Sequence, residues 1–179
     1  MSRIVPQIVT LSQHLQTLKF EPFRYRPLCC PFCGLAGKLH SHGVYFRKAN
    51  RQREPDVPSF VPIPRFLCAS CKRSCSRLPE CLPPRRWYPW VIQHALLTVL
   101  LMGDSLRKAA RLVDVARQTG RRWWAWLKAR SDLFAFHLKD RFPDWGRMAD
   151  FSGFWLHGLF DEPLSSMMAF LDQEGVIVP

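Results

Sequence analysis

Two cysteine pairs, Cys30-Pro31-Phe32-Cys33 and Cys68-Ala69-Ser70-Cys71, constrain this chain more than any other feature in it. Two residues between thiolates let both sulfurs reach one ion from a single tight turn, and two such turns complete a tetrahedral set. The expected ligands are therefore Cys30, Cys33, Cys68 and Cys71, and the expected ion is a structural Zn²⁺. Pro31 stiffens the first turn, and Gly34 can adopt positive φ on leaving it. Lys72 stands at the matching place of the second turn. A redox motif needs only one such pair, usually beside a βαβ pattern that this sequence lacks.

Three further cysteines remain. Cys29 adjoins Cys30 and offers only the poorer C-x-x-x-C spacing to Cys33. Cys75 and Cys81 read as small apolar residues, as buried free cysteines often do, the alternative being a second site or substitute ligands. His40 and His42, next to apolar Leu39 and Val44, read as exposed or half-buried strand residues rather than ligands. An odd total of seven cysteines, with no apolar signal-peptide run in the first residues, points to a reducing, cytoplasmic setting and to metal-bound thiolates.

The chain has 179 residues, 47% of them hydrophobic, so it can bury a core. Its net charge of +12 is unevenly spread. Residues 1–86 hold 15 Lys/Arg against 4 Asp/Glu, residues 87–130 hold 8 against 2, and residues 131–179 hold 3 against 8. Basic charge beside a zinc module points to a polyanion, most commonly nucleic acid. The longest apolar run, Ala95–Met102, is far too short to span a bilayer, so no membrane partner is expected.

Twelve of the fifteen prolines precede residue 90, which excludes long regular helix from the first half. Ile8, Leu11, Leu15 and Leu18 recur at helical spacing and predict a short helix within residues 4–20. Strands are expected at about Lys38–Lys48 and Phe60–Cys68, with Pro62 and Pro64 restricting the second to an edge. A metal-capped hairpin of this kind is a zinc ribbon. Leu82-Pro83-Pro84-Arg85-Arg86 reads as a linker, after which the apolar period becomes 3.6. The fold class is thus α+β. An N-terminal arm (1–27) and a Cys₄ ribbon (28–82) precede an all-α helix-turn-helix (87–130) and an acidic helical tail (131–179).

Within the helical part, Trp90–Met102 forms a first helix closed by Gly103, and Asp104-Ser105 caps a second over Leu106–Leu112. Val113-Asp114-Val115 is a three-residue turn into a third helix from about Ala116 to Arg130, which is the helix-turn-helix signature. The early residues of that third helix, Arg117, Gln118, Arg121 and Arg122, stand where such a motif presents side chains to base edges. Arg reads guanine bidentately and Gln reads adenine. Lys128 lies further along, whereas Arg85, Arg86, Arg51 and Arg53 suit phosphates better than bases.

The order Cys30-Pro31-Phe32-Cys33-Gly34, His42-Gly43, Pro64-Arg65-Phe66-Leu67-Cys68-x-x-Cys71, Ser76-x-Leu78-Pro79, Ser105-Leu106-Arg107-x-Ala109-Ala110 and Arg121-Arg122-Trp123 resembles the zinc-ribbon plus helix-turn-helix regions of bacterial insertion-sequence transposases and related small stand-alone proteins. The resemblance covers roughly residues 28–130. It implies binding of transposon-end DNA through Arg117, Gln118, Arg121 and Arg122. Ala116 and Gly120 depart from it, standing where a Ser cap and a packed apolar residue are usual.

A transposase of that kind needs an RNase-H-like domain with three carboxylates holding two Mg²⁺ ions. The 49 residues after Arg130 are too few for it, and their acids read as the solvated face of short helices. The expected function is therefore non-enzymatic: zinc-stabilised, sequence-specific binding of double-stranded DNA in the cytoplasm, at the nucleoid. The aromatic and methionine content of the tail exceeds what it can bury alone, so it either packs on the helix-turn-helix, as exposed apolar patches of that size are uncommon on monomers, or reaches a partner, a separate transposase chain or a second copy. The alternatives are a transcriptional regulator with the same fold, a nuclease or transposase whose catalytic half is another chain or has been lost, or an RNA-binding ribbon that stacks bases on Phe46, Phe60 and Phe66.

Overall fold

Thr10 begins the first helix of the chain with a capping box: its side chain accepts from the Gln13 N–H, and the Gln13 side chain returns to the Thr10 N–H. A computed structural model describes residues 3–48, 59–84, 88–148 and 150–178. These form a mixed α+β protein with six α-helices and a small antiparallel sheet. The chain divides into two compact units, one of residues 1–88 with 177–179 and one of residues 89–176. Among the described residues no helix is long and apolar enough to cross a membrane.

In the first unit, β1 (Ile4–Val5) pairs in parallel with β5 (Leu78–Pro79). Helix α1 (Leu11–Phe20) follows β1, and its buried face differs from the expected stripe. Leu15 is 41% exposed, the buried helical residues are His14 and Thr17, and Ile8 is buried before the helix starts. The pairing of β1 with β5 keeps residues 4–5 extended, which shortens the helix and turns its inner face toward His14.

Strands β2 (Leu39–Lys48), β3 (Phe60–Cys68) and β4 (Ser74–Ser76) form a sheet in the order β2-β3-β4. The edge position expected for Pro62 and Pro64 is corrected here, since β3 is the central strand. It tolerates both prolines because β4 pairs only with Arg65, Phe66 and Leu67. The Pro62 carbonyl accepts from His14 Nε2 at 2.9 Å and so points away from β2. The N and O of one strand residue lie on the same side, so the donor that Pro62 lacks would also have pointed away from that ladder. Alternate residues of β3 feed two small cores. Phe66 and Cys68 join Val5, Ile8, Tyr25 and Leu39, whereas Val61 and Ile63 join Leu78 and Leu82.

The second unit is helical: α2 (Trp90–Leu101), α3 (Leu106–Leu112), α4 (Arg117–Arg141), α5 (Phe151–Asp161) and α6 (Leu164–Gln173). Helix α4, expected to stop near Arg130, runs on to Arg141. Its buried residues Gly120, Trp123, Leu127, Ser131, Phe134 and Leu138 keep three- and four-residue spacing throughout, and no breaker intervenes before Pro143. Ser131 interrupts the apolar stripe but accepts the Trp155 indole N–H at 2.8 Å, so the polar group is satisfied where it is buried.

The acidic tail contributes to this core. Asp150 caps α5 through the Gly153 N–H, and α5 and α6 pack on α2, with α6 also on α4. Its acids are not all solvated: Asp161 accepts the indole N–H of buried Trp145 at 2.9 Å, and Asp172 is itself buried. Gly158 lies so close to Trp145 that an added Cβ would stand 2.9 Å from the ring.

Two outcomes are expected. Gly158→Ala should lower stability by about 1 kcal/mol, because overpacking against a rigid ring costs about 1–3 kcal/mol and outweighs the gain in helix propensity. Gly146→Ala, which meets nothing within 4 Å, should be near neutral; thermal melts of both variants test this. Separately, burial lowers the His14 pKa from 6.5, against an opposing bond to Pro62 O. The unfolded chain then binds the His14 proton more readily than the folded one. That contribution to stability is complete above about pH 6.5 and is lost as pH falls below it. An NMR titration should place the His14 ring midpoint below that of a free histidine.

Candidate functional site

The Sγ atoms of Cys30, Cys33, Cys68 and Cys71 all lie within 4.8 Å of one another. Cys30 Sγ is 3.6 Å from Cys71 Sγ, and Cys33 Sγ is 3.8 Å from Cys68 Sγ. A tetrahedron with metal–sulfur bonds of about 2.3 Å has edges of about 3.8 Å, so these separations suit one shared ion. They are far too long for disulfides, in which sulfurs approach to about 2.05 Å.

The backbone explains how two dissimilar sequences make matching turns. In the first, the Gly34 N–H donates to Cys30 O and the Cys30 N–H to Leu35 O, at 2.8 and 2.9 Å. In the second, the Lys72 N–H donates to Cys68 O and the Cys68 N–H to Arg73 O, both at 3.0 Å. Both turns leave through positive φ, +73° at Gly34 and +59° at Lys72. The second turn therefore carries the strain of a non-glycine residue in left-handed geometry, about 1–2 kcal/mol. The Ala69 N–H donates to Lys38 O, fixing the second turn to the entry of β2, and Arg73 lies over the Phe32 ring, joining the two turns.

Burial opposes ionisation of Cys30, but the backbone N–H groups of Cys33 and Phe32 and hydrogen bonds with the Cys33 and Cys71 thiols hold it at about 6. Cys33 accepts from the Leu35 backbone, yet desolvation and the neighbouring sulfurs push it up to about 11. The cluster thus yields a first thiolate near neutral pH, the form that binds metals.

The other candidates are not part of this set of four, although Cys75 packs in the same apolar cluster as Cys30 and Cys68. His40 and His42 are exposed on β2, and Cys29 is exposed beside an isolated bridge to Ala36. Cys75 is buried, with its thiol pKa raised by burial, and Cys81 is half-buried, pushed up to about 12 for the same reason. Phe66 is no stacking platform, being only 4% exposed in the core beside the cysteines.

In the second unit, the Ser105 hydroxyl accepts the Lys108 N–H and caps α3, and Ala109 and Ala110 are buried beneath it. Asp114 makes the turn with φ +50°, a conformation its short polar side chain tolerates. Helix α4 then starts without a side-chain cap at Ala116. Arg117, Gln118, Arg121 and Arg122 are all exposed on its first two turns. Gly120 faces inward, where a Cβ would sit 3.0 Å from Leu96 Cδ1 and 3.2 Å from Leu106 Cδ1. A glycine here allows α4 to approach α2 and α3 closely. Lys128 Nζ lies 4.9 Å over the Trp124 ring. Arg85, Arg86, Arg51 and Arg53 lie outside the described residues.

Two cations that the sequence reading passed over, Arg107 and Arg111, are exposed on α3 opposite buried Ala109 and Ala110. Their four-residue spacing was the available signal. Ion pairs among the described residues include Arg24–Glu21, Lys108–Asp104 and Arg147–Asp144, none of which engages the cations at the start of α4.

Cys68→Ser should abolish stoichiometric metal in purified protein and loosen the first unit, whereas Cys81→Ser should leave metal content unchanged. Elemental analysis of both variants measures this; full metal retention in the first would remove Cys68 from the ligand set.

Among curated proteins and among solved structures nothing matches the chain. A family model matches residues 30–123, a stretch that opens on Cys30 and closes on Trp123 in the second turn of α4. The chain therefore belongs to the family described as a domain of unknown function, DUF6431.

Proposed function

We propose that this protein is a zinc-stabilised, sequence-specific binder of double-stranded DNA, related to the end-binding regions of transposases. The observation that carries this reading is the exposed set Arg117, Gln118, Arg121 and Arg122 on the first two turns of α4, entered by a tight turn from a capped helix. In a helix-turn-helix those positions enter the major groove. The family match spans the four cysteines and this set together, and it ends one residue after Arg122. Arg107 and Arg111 on α3 are suited to the flanking phosphates.

The four-cysteine centre takes Zn²⁺ in this reading, because an all-thiolate tetrahedral site with no open position is a structural zinc site. Zinc would cross-link the two turns at the base of the hairpin and do no chemistry on substrate. The protein acts as a binder and not a catalyst, with nucleoid DNA as its partner. The relation to transposition rests on the order of the cysteine pairs and the Ala109-Ala110 and Arg121-Arg122-Trp123 register. Inverted repeats flanking the gene would bear it out.

Selection of bound sites from random duplex DNA should enrich one motif with wild type. Arg121→Ala should bind that motif more weakly, by about 1–3 kcal/mol, and relax the preference at one position. Replacing Arg107 or Arg111 should instead weaken all sequences alike. Each lost phosphate contact should lower the slope of log affinity against log salt by roughly 0.9. Equal enrichment of one motif by wild type and Arg121→Ala would refute α4 as the reader.

A further inference from the structure

The β2–β3 register places Val44 opposite Pro64, Phe46 opposite Pro62 and Lys48 opposite Phe60. Cross-strand partners in an antiparallel pair project from the same face, and alternate residues share it. These residues therefore continue the face that carries Leu39, Phe66 and Cys68 near the metal turns. The two halves of that face differ sharply. Leu39, Phe66 and Cys68 are buried under Val5, Ile8 and Tyr25, whereas Val44, Phe46 and Phe60 are 51%, 65% and 54% exposed around half-buried Pro62 and buried Pro64. Phe46 and Phe60 are diagonal neighbours in this register, a spacing of about 7–8 Å that aromatic side chains can reach across.

We infer that this distal half of the hairpin face, built on Phe46 and Phe60, seats the unpaired bases of single-stranded DNA. The inference deepens the DNA-binding reading and rests on it for the choice of DNA. Every base has a π-face, so exposed aromatic rings bind single strands with little sequence preference, provided that cations hold the backbone. A duplex hides those faces within its stack. The electrostatics of the first unit suit the strand. Residues 1–86 carry 15 Lys/Arg against 4 Asp/Glu, and of the acids among its described residues, Glu21 lies at the end of α1 and Glu80 is buried. The same excess of positive charge opposes covering this face with a second copy of itself. A chain with both surfaces would carry a duplex-reading helix in one unit and a single-strand face in the other.

The test uses the full-length protein loaded with metal, a labelled 15-nucleotide oligo-dT and a blunt duplex containing the selected motif. Phe46→Ala and Phe60→Ala should each weaken oligo-dT binding by roughly 5- to 150-fold, the equivalent of a lost base stack. Both should leave duplex affinity and metal content within twofold of wild type. Phe46→Tyr should restore oligo-dT binding, and ultraviolet crosslinking to oligo-dT should label Phe46 or Phe60. Arg121→Ala should show the opposite pattern, losing duplex and keeping oligo-dT. Should Arg121→Ala retain full duplex binding while the phenylalanine variants still lose oligo-dT, the α4 reading fails and the hairpin site stands. Oligo-dT binding within twofold of wild type in the Phe46→Ala/Phe60→Ala double variant would overturn the inference. So would tighter binding of oligo-rU than of oligo-dT, or a dimer in sedimentation that those substitutions dissolve.

Discussion

Four sulfurs within 4.8 Å of one another join segments 35 and 41 residues apart along the chain, and the first unit is organised around that junction. Its apolar clusters are small and lie on opposite sides of one narrow sheet. Cores of this size supply only a few kcal/mol, which is why small modules commonly add a metal or a disulfide. The spacing of these thiols excludes the disulfide and suits the metal. A cross-link at the base of the hairpin would fix the start of β2 and the end of β3. The far end of the same face can then remain uncovered without costing the sheet its register.

The second unit is held by a different means. Trp123, Trp145, Trp155 and Phe134 are nearly inaccessible to solvent, and edge-on ring contacts link Trp155 with Phe134 and with Phe154. The Trp155 indole N–H donates to Ser131 and that of Trp145 to Asp161, so burying these large polar-tipped side chains leaves those donors satisfied. Gly120 and Gly158 give up side chains so that α4 can approach Leu96 and Leu106, and α5 can approach Trp145. The acidic tail is thus part of the structure that holds α4 still. A rigid α4 matters to the proposed function, because base reading requires that Arg117, Gln118, Arg121 and Arg122 arrive already positioned.

Polar groups of the first unit are used where they knit distant segments together. Buried His14 spends one ring nitrogen on Tyr25 Oη, at 2.6 Å, and the other on the Pro62 carbonyl, tying α1 to β3. Glu80 is buried and accepts from the Gln7 N–H, where the chain turns with φ +65° after β1. With its acids few and partly withdrawn, this unit presents mainly cations and a patch of aromatic rings.

What the sequence determined by itself was local. The C-x-x-C spacing specified the four cysteines that converge, because two intervening residues define the turn whatever surrounds it. Strand ends near residues 39–48 and 60–68, the Ser105 cap, the turn at Asp114 and the first turns of α4 followed from alternation, capping chemistry and helical period. The tertiary structure decided which faces are covered. Phe46 and Phe66 look alike in sequence, yet one is exposed and the other buried, because the segment around Val5, Ile8 and Tyr25 folds back over only one end of the sheet. Central placement of β3 depended on β4 pairing with three residues beyond its prolines. The polar Ser131 in the buried stripe of α4 made sense only with Trp155 beside it, and the two inward glycines had meaning only beside Leu96, Leu106 and Trp145. Local patterns encode turns and periods, but burial depends on partners far along the chain, and those partners appear only once it is folded.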